Sequence, residues 1–449
     1  MALDSVRQEF KPKERLIPIS MGSVFEHPDL PRSTSPGLPF IELGWKKKGE
    51  CFDSPDVFNY VSRRWDLVGK GLPVTLPDSC AYNRLQISPP SEPKVRPVWG
   101  YPLEVISEEA RFFYPLINSI KSSPVDHCYA VGLEMANGGM AYVNQSVLSH
   151  FAKGRNRYVM TDWSSFDTRC PSWLIRDVFN MLSEFYDFSR IVSSDGRVWS
   201  VNEIQQRRRF SKFVNYFINT KIRLPSGERF QKVSGVPSGS MFTNLIDTLI
   251  NAIVCRYLSF NTTGFLPEFD LYMGDDGLAL CRGFVNLEDW ASLALSTFGF
   301  VLNLKKSFVT VNPDNIQFLG FFNRSGLPKR SNEFLVQSFC LPERLVKHPI
   351  ETAARAAGQL FSCLDPRLAY RWLEVVLEVV SYERLTLTDV EDFIRDNPGR
   401  FKYLTQLGVD LRSIPKLGSL QNPMKVLFSV HPPCAPLRPF RGRFYQPND

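Results

Sequence analysis

Hydrophobic and polar positions divide this chain into stretches of different character. Residues 1–100 show no sustained period: Pro, Gly and short charge clusters interrupt each apolar run. That pattern predicts an extended, loop-rich layer wrapped over another part of the molecule. Apolar residues then recur at helical spacing over 103–120, which predicts a helix. A strand is predicted at 157–161, then a helix over 172–186 with Ser172 as its N-cap. A loop at 234–240 leads into a long apolar helix over 242–258. Two short apolar runs flank Gly274-Asp275-Asp276, which reads as a β-hairpin over 271–281 with those three residues at its tip. A helix over 287–298 and a strand pair near 300–311 and 318–323 follow. Beyond 341 the pattern is helical, at 349–364, 366–385 and 387–396, and 422–449 is a Pro-rich basic arm. The order of the middle elements predicts the α+β class, an antiparallel sheet with helices on one face.

Composition narrows this picture only a little. The 449 residues exceed one ordinary core, so subdomains are expected. With 43% hydrophobic and 22% charged residues the chain is globular rather than disordered. A net charge of +7 permits a polyanionic partner without requiring one. Nine cysteines without a C-x-x-C pair, and only five histidines, argue against structural zinc and fit a reducing compartment. The first residues lack an apolar core and no run is long enough to span a bilayer, so neither a signal peptide nor a membrane span is expected.

The paired acids carry the chemistry. Asp275 and Asp276 at a tight turn are poor packing residues but good oxygen ligands for a hard cation. Asp162 ends the 157–161 strand; it either caps the turn that follows or faces a cleft. If that strand lies beside the hairpin, Asp162 and Asp275 converge, and two carboxylates from neighbouring strands can hold two Mg²⁺ ions. Asp167 is either a surface turn residue or an acceptor for a ribose 2′-hydroxyl. In Ser234-Gly235-Val236-Pro237-Ser238-Gly239-Ser240, the glycines permit close approach of a ligand and Ser238 adds a hydroxyl. On the helix that follows, Thr243 and Asp247 share a face and Asn244 is displaced by about 100°. Lys94 and Arg96 lie at i, i+2 in a Pro-flanked extended segment, a geometry suited to a triphosphate or to a solvated edge. Ser35 and Gly37 sit in a stiff turn that can guide a template; Lys305-Lys306 either brings an ammonium near a leaving pyrophosphate as a proton donor or is a solvent-facing strand end. The runs Lys46-Lys47-Lys48 and Arg207-Arg208-Arg209 are read as solvated faces.

In this order, the segments resemble the motifs of viral RNA-dependent RNA polymerases. Thr34-Ser35-Pro36-Gly37 is similar to the template-entry motif G, and Lys94 with Arg96 to motif F. Asp162 and Asp167 match motif A, residues 234–247 motif B, Gly274-Asp275-Asp276 motif C, Lys306 motif D and Phe318-Leu319-Gly320 motif E. Picornavirus-type members carry Asn-Ser where this chain has Asp247-Thr248, and the motif B string is similar to partitivirus and picobirnavirus polymerases, small double-stranded RNA viruses. The resemblance implies a closed right hand with a ferredoxin-like antiparallel palm sheet. Fingers would be 1–157 and 175–233, palm 158–174 and 234–340, and a helical thumb with the basic arm 341–449. It also implies primer-independent, two-metal RNA synthesis on a viral RNA genome, with Mg²⁺ or Mn²⁺, NTPs, RNA template and product, and a capsid protein as partners. The place of action would be the host cytoplasm or the virion interior. An Asp–Asp contact at Asp167 requires a shared proton, a water or a cation, unless Asn244 takes that role. Two other readings stand beside it. A reverse transcriptase predicts a bulky residue near Asp167. A non-catalytic RNA-binding or capsid-linked protein would not need Asp162, Asp275, Asp276, Lys94 and Arg96 together.

Overall fold

The computed structural model describes residues 1–85, 88, 95–123, 126–151, 156–342, 345–363, 365–397 and 401. The expected residues Lys94 and 422–449 lie outside these, and of Arg96 only the backbone is described.

The central sheet forms from four strands in the order Phe308–Thr310, Asn156–Thr161, Asp276–Arg282, Phe269–Met273, all neighbours antiparallel. With the helices Ser172–Ser183 and Leu287–Phe298, the chain order is β-α-β-β-α-β, the ferredoxin-like arrangement, with further elements inserted after the first helix. Strand alternation builds two cores. Val159, Tyr272, Ala279 and Cys281 point into one with the buried side of the Thr243–Thr263 helix. Tyr158, Met160, Leu278 and Leu280 point into the other, with Val143, Phe318, Phe321 and the helices Pro349–Phe361 and Pro366–Tyr382. The expectation of helices on one face is therefore corrected. The strands read as near-continuous apolar runs because both faces are covered.

A second four-stranded sheet joins distant parts of the chain. Ser79–Leu85 pairs antiparallel with Val95–Gly100 and parallel with Lys221–Arg223, which pairs with Arg229–Gln231. Segments 1–157 and 175–233 thus share one sheet.

Three expectations change. Residues 1–100 are not mainly loops: Pro55–Gly69 is a helix, N-capped by Ser54, whose Val57, Val61, Trp65 and Val68 are buried at 4, 4 and 3 spacing. Ser172 is the first helical residue and not the cap, which is Pro171. The residues of 300–311 and 318–323 do not pair with each other. Val301–Leu302 pairs with Trp163–Ser164, Phe308–Thr310 joins the central sheet, and Gln317–Phe318, Phe321–Arg324 and Leu327–Lys329 form a separate sheet. The turn at 303–307 splits the first apolar run, so its halves go to different partners. Among the described residues all eight cysteines are free, and no helix is long and apolar enough to cross a membrane.

Candidate active site

The hairpin turn places the paired acids. Met273 pairs with Asp276, leaving Gly274 and Asp275 as a two-residue loop. Gly274 has φ +64° and Asp275 does not have positive φ, the pattern of a turn with Gly at its first central position. Thr161 pairs with Gly277, so Asp162 and Asp276 occupy the next register position on adjacent strands. A Cβ on Gly277 would stand 2.6 Å from Thr161 Oγ1 on one neighbouring strand and 3.1 Å from Tyr272 Cδ1 on the other, so the packing here favours glycine. Asp162 and Asp275 are half-buried and Asp276 is exposed.

Backbone hydrogen bonds fix Asp162 from the other side. Its N–H donates to Ser307 Oγ (2.9 Å), and its carbonyl accepts from the Asn303 N–H (2.8 Å). The same turn carries Lys306, whose N–H donates to the Asn303 carbonyl (3.1 Å) and whose side chain is exposed. Lys306 therefore belongs to the turn that clamps Asp162.

The Thr243–Thr263 helix pins the hairpin turn. Thr248 Oγ1 accepts from the Gly274 N–H (2.8 Å) and donates to the Asn244 carbonyl (2.7 Å). One turn further on, the fully buried Asn251 donates to the carbonyls of Gly274 and Asp275, both at 3.0 Å. Its Oδ1 accepts from Trp163 Nε1 (3.0 Å), in the segment next to Asp162. One side chain thus ties both acidic turns together. Sequence reasoning missed Asn251; its signal is the i+4 step from Asp247, on the face already marked by Thr243 and Asp247. Asn244 Oδ1 accepts from the Tyr129 hydroxyl (2.8 Å).

Asp247 is buried between acids. Burial, then the charges of Asp167 and Asp275, push its carboxyl well above the usual carboxylate range, while Cys170 Sγ approaches Oδ1 at 3.9 Å. Of the ways to hold an Asp–Asp contact, this environment favours a proton on Asp247. Asp167 itself sits half-buried just beyond Ser165, which takes left-handed φ 55°. Its carbonyl accepts from the Val236 N–H (2.7 Å).

The loop glycines serve protein contacts. A Cβ on Gly239 would lie 2.3 Å from the Trp99 carbonyl, and on Gly235, which has φ +79°, 2.8 Å from the Asp167 carbonyl. Ser238 Oγ accepts from the Trp99 N–H (2.9 Å) and Thr243 Oγ1 donates to the Pro237 carbonyl (2.6 Å). On the side where a Cβ would stand, the close neighbours of these glycines are backbone of the strand that carries Arg96 and of the Asp167 turn. Gly37, φ +71°, is likewise wedged against Tyr101 and Pro102, and its N–H donates to Ser35 Oγ (3.3 Å). Ser35, Gly37, Ser238 and Gly239 thus belong to a layer around Tyr101, not to the acidic turns.

Glu109 anchors that layer and was not foreseen. It is fully buried, and Oε2 accepts from Ser240 Oγ (2.8 Å) and the Met241 N–H (2.9 Å). Burial pushes its carboxyl up to about 7, against the pull of those hydrogen bonds and of Lys48. Lys48 is buried too, and Arg209 is buried against Glu108 (2.5 Å), so both charge runs contribute a core member, contrary to the solvated reading. Because the folded Glu109 holds its proton above its ordinary 4.5, stability present below that pH is lost as pH rises toward 7. Wild type is expected to lose roughly 3 kcal/mol across that window relative to Glu109→Gln. Urea unfolding of both proteins at several pH values checks this, and parallel profiles would refute it.

Every donor at the acidic turns is oxygen, the chemistry that suits Mg²⁺ or Mn²⁺. Among the described residues no three His, Cys, Asp or Glu side chains are already gathered as a metal cage.

Comparison with known proteins gives a consistent result. The family model "Viral RNA-dependent RNA polymerase" matches residues 3–332. The RNA-directed RNA polymerase of Atkinsonella hypoxylon virus is 29% identical over 59% of this chain and 44% of its own length. That of Cryptosporidium parvum virus 1 is 27% identical over 65% and 54%, and that of White clover cryptic virus 1 is 24% identical over 65% and 49%. The chain spans about half the length of these curated relatives. In fold it is similar to the RNA-dependent RNA polymerase of a human picobirnavirus, with TM-score 0.64, 18% identity, and coverage of 91% of this chain and 74% of that one. An insertion-loop deletion mutant of that polymerase gives TM-score 0.65 at 17% identity. With that match spanning both acidic turns and the helix that pins them, the chain belongs to the viral RNA-dependent RNA polymerases.

Proposed function

We propose that this chain synthesises RNA on an RNA template from NTPs, without a primer, in replicating and transcribing a double-stranded RNA virus genome. The observation that carries this reading is the register that sets Asp162 beside Asp276, with Asp275 on a turn pinned by Thr248 and Asn251. Asp162, Asp275 and Asp276 would hold two Mg²⁺ or Mn²⁺ ions, which when bound lower the pKa of the RNA 3′-hydroxyl and neutralise the leaving pyrophosphate. The chain's own groups position and stabilise charge. Lys306, on the turn that clamps Asp162, is assigned the proton for pyrophosphate, and Lys94 and Arg96 the triphosphate. Segments 1–157 and 175–233 act as fingers, 158–174 and 234–340 as palm, and 341–449 as thumb. Action in the host cytoplasm or inside a capsid, with the capsid protein as partner, belongs to the same reading. Primer-free synthesis on a short RNA, comparing wild type with Asp275→Asn, tests it.

Asp167 is assigned the ribose. Its carboxylate would accept from the 2′-hydroxyl beside Asp247, whose carboxyl burial pushes upward. Asp167→Ala should reduce preference for NTPs over dNTPs by roughly ten- to a hundredfold, the worth of one charge-assisted hydrogen bond. Single-nucleotide incorporation with each substrate measures it; unchanged selectivity would remove Asp167 from this role.

A further inference from the structure

One exterior face of the molecule collects cations that the acidic turns do not use. Helix Ala2–Phe10 runs into Lys11-Pro12-Lys13-Glu14-Arg15. Leu16 then anchors this segment: its N–H donates to the Phe185 carbonyl (2.8 Å), and its carbonyl accepts from the Asp187 N–H (2.9 Å). The segment is thereby laid beside the end of helix Ser172–Ser183. A cavity of about 460 Å³ opens there, lined by Arg7, Lys11, Lys13, Arg15 and Arg207, with Glu184 as the one acid among its lining residues. Arg7 is committed to Asp4 (2.5 Å) and Glu184 (3.4 Å), and Arg207 to Glu203 (2.7 Å). Lys11, Lys13 and Arg15 are exposed and make no ion pair among the described residues.

Arg207 also lines a second cavity of about 520 Å³, with Arg208 and Lys212 one and five positions on along the same helix. Arg208 Nη1 donates to the Gly69 carbonyl (3.3 Å), and Lys212 makes no ion pair among the described residues. The two cavities share Arg207 as a wall, so their cations follow one another in a basic band along one surface. The band lies at the far end of the 12-residue Ser172–Ser183 helix, which starts just after the Asp167 turn. At 1.5 Å per residue that is about 18 Å away. Glu184 and the carbonyl end of the helix offset part of the charge, but the cations still outnumber the acids.

We propose that this band is a second RNA-binding site, holding the phosphodiester backbone of a single-stranded stretch of RNA outside the catalytic cleft. It rests on the polymerase reading, which puts a long polyanion at this surface. Its length across two adjacent cavities suits a chain of phosphates better than a single anion. Its aromatic residues do not read bases: Tyr186 is buried, with its hydroxyl donating to the Phe112 carbonyl (2.7 Å), and Phe188 is buried under the Arg207 guanidinium. Binding is therefore independent of sequence and strongly dependent on salt.

The test combines Lys11→Ala, Lys13→Ala, Arg15→Ala and Lys212→Ala, four surface side chains whose loss leaves the thermal midpoint in place. Fluorescence anisotropy measures binding of unstructured RNAs of about 40 and about 8 nucleotides against salt, lengths chosen because one single-strand site takes roughly 4–16 nucleotides. The slope of log affinity against log salt for the longer RNA should fall by about 3, at ~0.7 per lost phosphate contact, with affinity lower by on the order of tenfold or more. Affinity for the shorter RNA and its extension rate should stay as in wild type. An unchanged slope, or an equal loss on the short RNA, would overturn the proposal. So would displacement of the long RNA by ATP alone, which marks a mononucleotide site. Unchanged RNA binding with lost poly-glutamate binding would point instead to an acidic protein segment. RNA synthesis by wild type with an unchanged slope in the variant refutes the band alone. Absence of synthesis by wild type on primed templates and on templates with viral termini as well as on the short RNA, with a steep salt slope, refutes the polymerase reading alone.

Discussion

Asp275→Asn is expected to abolish RNA synthesis, a fall of ~10³ or more that corresponds to about 4 kcal/mol of transition-state stabilisation. The substitution keeps the shape of the side chain and removes its charge. What the Thr243–Thr263 helix grips at this position is the Asp275 carbonyl, 3.0 Å from Asn251 Nδ2, and that contact survives. The side chain is half-buried at a turn, so the folding cost should stay within about 0.5 kcal/mol. Loss of its charge also relieves Asp247, whose carboxyl Asp275 helps to push upward. Labelled-nucleotide incorporation on single-stranded RNA with Mg²⁺, alongside thermal unfolding and RNA binding, reads the three quantities separately. Synthesis undiminished would remove Asp275 from the reaction, and an unfolded variant would make it a structural residue. Inactivity of both proteins with RNA binding intact would favour a non-catalytic RNA-binding protein, or one needing a primer or a cognate terminus.

Local chemistry in this chain was legible; long-range burial was not. Gly274 and two flanking apolar runs announce the hairpin because turn geometry depends on neighbouring residues alone. The convergence of Asp162 with the hairpin followed from one added condition, that the two strands adjoin, and they do. The helix Pro55–Gly69 was hidden because polar residues interleave its buried Val57, Val61 and Trp65, and Pro and Gly dominate what surrounds it. Glu104, Glu108 and Glu109 read as an ordinary charged helix turn, yet all are fully buried. Arg64 meets the first at 2.7 Å, Arg209 the second at 2.5 Å, and Ser240 the third at 2.8 Å. Those partners come from distant sequence or from loops, and no periodicity encodes them. The same holds for Gly37 and Gly239. Their need for glycine is visible in the sequence, but whether a ligand or the Tyr101 segment comes close is decided by tertiary packing.

Asn251 provides the sharpest test of how the site is held. Replacing it with Ala leaves three polar groups without this partner: the buried Gly274 carbonyl and Trp163 indole N–H, and the part-buried Asp275 carbonyl. At about 1–3 kcal/mol for each unsatisfied buried group, with some relaxation, a loss of about 3 kcal/mol in stability is expected. The effect on synthesis should be larger than stability alone explains. Asn251 is the side chain that bonds to both acidic turns, so its loss frees the Asp275 turn to shift relative to Asp162. A misplacement of about 1 Å costs on the order of 10²-fold in rate. Asn251→Asp should be worse, since a carboxylate still accepts from Trp163 but turns toward two carbonyls it cannot serve and adds charge beside Asp247 and Asp275. Measured at a temperature where both variants are folded, kcat should fall about a hundredfold for Asn251→Ala with little change in nucleotide KM. A lowered thermal midpoint with wild-type kcat at that temperature would reduce Asn251 to a packing residue and leave Thr248 and the Gly274 turn to hold the two acids in register.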